Sequence, residues 1–233
     1  ILDTSDKLST NPTRVSNLDT DGWTRSVYLS NDDRTAFLAD GTPGLKIVNV
    51  SDVSNPELVS QLKIGESVYD IALSNGGDVL YAAHLSGVSA VNISDLSNPF
   101  IISTIITPGD AQAIRLSRDG ALVYIADGYE GFHIIDVSQP SSLKLLKSMN
   151  TPGEIYSLSL SANGALLYLA DGSYGFKVFD LKYPTEPTLI ASLGDIGFVS
   201  SVEVSQDGFF VYLATDRVGP PVVVNVTDSQ NPT

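Results

Sequence analysis

The chain has 233 residues, 42% of them hydrophobic, no cysteine, and a formal charge of −14 from 27 carboxylates against 13 Lys and Arg. That balance argues against nucleic acid and against an anionic membrane surface, both of which depend on clustered Lys and Arg. Without cysteine there are no disulfides, no thiol catalysis and no thiolate metal sites.

A bilayer-spanning helix needs about 18 or more consecutive apolar residues, and no such run occurs, so membrane insertion is not expected. The opening ILDTSDKLST is polar, unlike a signal peptide. Few Lys and many Ser, Thr, Asn and Asp give the composition of a secreted or cell-surface protein, and the expected location is extracellular.

In chain order, Ile1 to Asp6 resembles Ile47 to Asp52 and reads as a lone strand. Asn17-Leu18-Asp19-Thr20-Asp21-Gly22 follows, with oxygen donors at alternate positions before a glycine, as in the first half of a calcium loop. Asn17, Asp19 and Asp21 are therefore candidate calcium ligands. Tyr28 stands where such a loop places a bidentate Glu, so a plain turn is the favoured reading.

From there the chain repeats. FLADGTPGLKIVNV at 37 returns as YAAHLSGVSAVNI at 81, YIADGYEGFHIIDV at 124, YLADGSYGFKVFDL at 168 and, more loosely, YLATDRVGPPVVVNV at 212. The leading aromatics Phe37, Tyr81, Tyr124, Tyr168 and Tyr212 are spaced by 44, 43, 44 and 44 residues. Ser30, Ser74, Ser117, Ser161 and Ser205 keep the same step, as do Ala39, Ala83, Ala126, Ala170 and Ala214.

Each period contains four strand-like runs. In the third copy these are 101–106, 113–117, 122–126 and 132–137, separated by Thr107-Pro108-Gly109, Arg118-Asp119-Gly120 and Asp127 to Gly131. Asp-Gly and Asn-Gly pairs at 119, 163 and 207 suit tight hairpin turns. A helical period is nowhere convincing. The fold class is therefore all-β: a β-propeller of four-stranded antiparallel blades, with five complete repeats of about 44 residues and one extra N-terminal strand.

The combination VYIADG, GFHIIDVS, SNP and TPG resembles the LVIVD-repeat β-propeller family, related in architecture to YVTN and WD-repeat propellers. The resemblance covers residues 11 to 233. It implies that the Ser-containing strand, such as Ala113 to Ser117, lies nearest the central channel, and it implies an extracellular or cell-envelope setting but no single activity. Residues 1 to 233 form one domain, read either as part of a six-bladed or larger propeller or as a closed five-bladed ring carrying Ile1 to Thr4 at its edge.

The turn after the first strand of a period and the Asp-Gly turn share one face of such a ring. Trp23, Tyr129, Glu130, Tyr174 and Phe198 are the candidate partner-binding residues there, because exposed aromatics supply rigid contact area. A protein or glycan partner is expected. Asp127 and its counterparts read as carboxylates capping their own turns, and His133, aligned with Lys46 and Lys177, as a solvated or blade-packing strand residue.

A Ser-His-Asp spacing, a phosphate loop and a paired-His metal motif are all missing from the sequence, so no catalytic residue is assigned and no cofactor beyond calcium is expected. Asp70, Arg115 and Glu203 depart from the repeat on the inner strands and read as channel lining at different depths. They are where a carboxylate- or calcium-dependent hydrolase or lyase would work. The remaining alternative is a structural subunit of a surface assembly. Asn49, Asn92 and Asn225, each in an N-x-[ST] sequon, share one repeat position with Asp136 and Asp180 and read as Asx turns rather than glycosylation sites.

Overall fold

The computed structural model describes residues 2–3, 13–215 and 220–233, all as strands, turns and loops. β1 (Leu2–Asp3) pairs with β2 (Thr13–Arg14). The first full sheet holds β3 (Ser26–Leu29), β4 (Thr35–Ala39), β5 (Leu45–Asn49) and β6 (Glu57–Leu62) in that order. The second holds β7 (Val68–Leu73), β8 (Val79–His84), β9 (Gly87–Asn92) and β10 (Phe100–Ile106).

The third sheet comprises β11 (Ala113–Leu116), β12 (Leu122–Ala126), β13 (Phe132–Asp136) and β14 (Lys144–Met149). The fourth comprises β15 (Ser157–Leu160), β16 (Leu166–Ala170), β17 (Phe176–Asp180) and β18 (Thr188–Leu193). The fifth has three strands, β19 (Val199–Val204), β20 (Phe210–Thr215) and β21 (Val222–Asn225). All pairs are antiparallel, and among the described residues no helix is long and apolar enough to cross a membrane.

The five repeats thus become five consecutive sheets, but the strands divide differently from the sequence period. The run at 101–106 does not open the third blade. As β10 it closes the second, pairing with β9, and each later outer strand does the same for the blade before its own repeat.

Three devices hold neighbouring blades together. Apolar side chains of adjacent sheets interdigitate: Tyr124, Phe132 and Ile134 of the third blade bury against Leu158, Leu167 and Phe179 of the fourth, with Phe132 and Phe179 edge to face at 5.0 Å. Each such side chain contributes about 1.5–3 kcal/mol. The glycine of the Asp-Gly turn also pairs with the next inner strand, Gly41 with Val68, Gly128 with Ile155 and Gly172 with Val199. Finally, Ser60 and Ser103 on outer strands donate to Leu96 O and Pro140 O of the following blade.

The hairpin turns follow their chemistry. Gly120, Gly164 and Gly208 take φ of 74°, 72° and 76°, while Asp119, Asn163 and Asp207 accept from Ser117, Ser161 and Ser205. The shared Asx position is borne out: Asn49, Asn92, Asp136, Asp180 and Asn225 each accept a backbone N–H two residues on.

Candidate functional site: the loop face and the channel

In the first, third and fourth blades the two loops meet on one face, as expected. Gly22, Gly109 and Gly153 lie so close to Asp40, Asp127 and Asp171 that a Cβ on any of them would meet the carbonyl oxygen of that Asp within 2.3 Å. The incoming loop is therefore packed directly on the Asp-Gly turn.

The turn aspartates do not cap their own turns. Asp127 is fully buried; its Oδ1 accepts from Thr107 Oγ1 at 2.7 Å and its Oδ2 from the Gly109 N–H at 2.8 Å, both on the incoming loop. His133 Nε2 lies 2.8 Å from the same Oδ2, and His133 Nδ1 lies 2.9 Å from Ser148 Oγ. His133 is thus buried and packed within the blade, not solvated.

The other Asp-Gly blades repeat this with lysine. Asp171 accepts from Thr151 and pairs with Lys177 at 3.2 Å; Asp40 accepts from Thr20 and Thr24 and pairs with Lys46 at 3.4 Å. In the second blade His84 stands in for the Asp and bonds Ser89 Oγ, which in turn meets Thr104. A buried carboxylate needs a partner charge or hydrogen bonds: both oxygens of Asp127 are hydrogen-bonded, whereas Asp40 Oδ2 and Asp171 Oδ2 accept no hydrogen bond and are answered by the ammonium charges of Lys46 and Lys177.

The fold thereby gathers Ser148, His133 and Asp127 into one hydrogen-bonded row that sequence spacing did not reveal. The row carries no catalytic assignment. The carboxylate sits on Nε2 inside the blade, and Lys177 with Ser192 occupies the same place in the next blade.

The partner candidates lie on the surface above this frame. Trp23 is 82% exposed and Tyr129 77%; Tyr174 and Glu130 are exposed as well. Phe198 is half-buried against Tyr156, ring centroids 5.4 Å apart, and the two rings cover Gly172. Glu154 accepts from the Tyr156 hydroxyl, and its carboxylate also raises the Tyr129 pKa.

Tyr129, Glu154, Tyr156 and Phe198 therefore form one chain of contacts across the third, fourth and fifth blades. Toward the first blades, the Arg25 guanidinium lies 4.7 Å over the Tyr69 ring. Burial, then the Asp110 carboxylate, raises the Tyr69 pKa against the opposing pull of Arg25. Tyr69 and Tyr156 were missed by sequence reasoning; they share a repeat position with Gln112 and Ser200, and that departure is the signal that marks them.

Asp19 Oδ1 accepts from the Asp21 N–H at 3.3 Å, and Asp21 turns the chain at φ 59°. Asn17 lines an apolar groove beside Leu18, Val27 and Leu38. Asp19 and Asp21 thus form a turn, and among the described residues no three His, Asp or Glu are grouped so as to hold a metal ion.

In the channel, the three departures from the repeat are brought together, contrary to the expectation of separate depths. Arg115 Nη1 donates to Asp70 Oδ2 at 2.7 Å, and Nη2 lies 4.0 Å from Glu203 Oε2. They line a cavity of 530 Å³ together with Tyr28, Asn75 and Arg118. Asp70 also accepts the Ile71 and Ile114 N–H groups, so it ties two inner strands at the channel wall.

The LVIVD repeat family matches residues 21–63 and 108–151, and both matches run from an incoming loop through an outer strand, the unit the sheets define. These two segments match the LVIVD repeat, and the chain has a β-propeller fold. A Lactobacillus plantarum protein is similar at 14% identity with a TM-score of 0.80, over 90% of this chain and 69% of its own. The periplasmic gluconolactonase of Pseudomonas aeruginosa is similar at 17% identity and 0.72, over 85% and 65%.

The β-propeller domain of Cps50 (Swd1) from Myceliophteria thermophila is similar at 13% identity and 0.71, over 90% and 67%. These likenesses show the fold alone. No curated protein matches the chain in sequence.

Proposed function

We propose that this LVIVD-repeat propeller is a non-enzymatic binding scaffold of a secreted or cell-surface protein, which engages a protein or glycan partner through its loop face. The observation that carries the reading is the exposure of Trp23 and Tyr129 above turns whose polar groups are otherwise spent on holding blades together. Large aromatics left in water cost hydrophobic free energy that a partner surface recovers, and Trp and Tyr dominate the energetic centres of interfaces. Glu130 beside Tyr129 adds an exposed carboxylate for a basic or hydroxyl-rich partner.

The test is an array of glycans and surface proteins probed with labelled chain and with the Trp23→Ala/Tyr129→Ala/Tyr174→Ala variant. Ligands that hold the parent chain are expected to lose at least about tenfold in affinity with the variant, since each anchor is worth about 1–2 kcal/mol or more. Equal retention of both proteins would remove the loop face as the site.

A hydrolase in the channel is the second reading, favoured by the convergence of Asp70, Arg115 and Glu203 and by the gluconolactonase among the fold's relatives. It is the weaker one, because the Arg115 charge is already answered by Asp70 and Asp70 is held by two backbone N–H groups.

A further inference from the structure

The repeat provides an internal control for what each blade face is built to meet. The leading aromatic is 2% exposed at Phe37, Tyr81 and Tyr124 and 1% at Tyr168, yet 49% exposed at Tyr212. Its cross-strand partner follows suit: Ile47, Ala90, Ile134 and Val178 are fully buried, Val223 is not. At the other end of the arc, Ile71, Ile114, Leu158 and Val202 are at most 3% exposed, whereas Val27 at the same inner-strand position is 58% exposed.

The trailing face of the β19–β21 sheet and the leading face of the β3–β6 sheet are therefore the two halves of an interface the molecule makes four times elsewhere. The groove of 570 Å³ walled by Val27, Leu29, Leu38 and Val48 is the leading half.

The size of the interval between them follows from the relatives. Ninety per cent of 233 residues covers 69% of the Lactobacillus protein, which puts that chain at about 300 residues, close to seven repeats of this length. The Pseudomonas and Myceliophteria proteins scale to about the same length.

We infer that two further blades of this same repeat close the ring at seven, one face seated on Tyr212 and Val223 and the other on Val27 and Leu29. Two strands of the second of these blades are already in place: Leu2–Asp3 and Thr13–Arg14 pair as the third and outer strands of a blade do. The β19–β21 sheet likewise takes its outer strand from the added segment. A second copy of this chain does not suit the interval, because its five sheets are more than two blades wide.

The test appends a second copy of residues 101–170 after Thr233, which supplies the missing outer strand, one whole blade and two inner strands. The reporter is Tyr212→Trp in a Trp23→Phe background, read by acrylamide quenching. The extended chain is expected to lose quenching severalfold relative to the unextended one. An extended chain that gains no protection, whether soluble with an exposed reporter or unfolded, overturns the inference.

The unextended chain gives an independent reading. Val27→Asp and Tyr212→Asp are expected to leave its melting temperature nearly unchanged, while Ile114→Asp and Tyr124→Asp at the same repeat positions unfold it. Unfolding by Val27→Asp and Tyr212→Asp, or a dimeric mass with the reporter already protected, would mean that the faces cover each other or a second copy, and the inference fails.

Discussion

Asp127 is the residue on which the third blade's loop end depends, since it takes Thr107, Gly109 and His133 together inside the protein. Asp127→Ala leaves a buried hydroxyl, an N–H and an imidazole without their acceptor, and is expected to lower the unfolding free energy by about 3 kcal/mol in urea denaturation. His133→Lys recreates the pair seen at Lys46 and Lys177, and a loss below about 1 kcal/mol is expected; a loss as large as that of Asp127→Ala would give His133 a role beyond the frame.

His84 makes a pH-dependent contribution. Burial holds its pKa below the ordinary 6.5, against a smaller upward pull from Glu66, and its Nδ1 accepts the Ser86 N–H, which requires the neutral ring. The unfolded chain therefore takes up this proton at higher pH than the folded one, and stability falls as pH drops below 6.5. His84→Gln is expected to flatten that decline in denaturation curves measured between pH 7 and pH 5. The alignment of His133 with two lysines was legible in the sequence, but its burial was not, because the partners of Asp127 lie 20 and 18 residues back on another loop.

At the scale of strands and turns, the period was legible and its phase was not. A repeat of 44 residues is unchanged by cyclic permutation of its four strands, so sequence alone cannot say which sheet receives 101–106; the pairing of β10 with β9 decides it. The turns carry finer information in their glycines. Gly131 has φ 82°, and a Cβ there would sit 2.1 Å from Met149 O; Gly128 has φ 63° with its nearest neighbour 3.9 Å away. Gly131→Ala is expected to cost about 3 kcal/mol or more and Gly128→Ala about 1 kcal/mol, in thermal or urea denaturation. Equal losses would show that backbone handedness, not the approach of the outer strand, sets the requirement.

Across the whole molecule, what repeats is architecture and what departs from the repeat is where function is sought. The Asp, Thr and basic residue recur in the first, third and fourth blades and build the same frame in each, whereas the aromatics Trp23, Tyr69, Tyr129, Tyr156 and Phe198 stand at positions where other blades carry other residue types, and these collect on the loop face. Trp23, Tyr129 and Phe198 were legible because turn positions between strands are solvent-facing. Tyr156 was not, since its role depends on Glu154 and on Phe198 of the next blade. Trp23 is the sole tryptophan, so its fluorescence reports from that face alone. Acrylamide quenching of Trp23, measured with and without a ligand identified on the array, tests the assignment most directly. Quenching is expected to fall as the ligand saturates the chain; saturation with Trp23 still fully quenched would contradict a loop-face site.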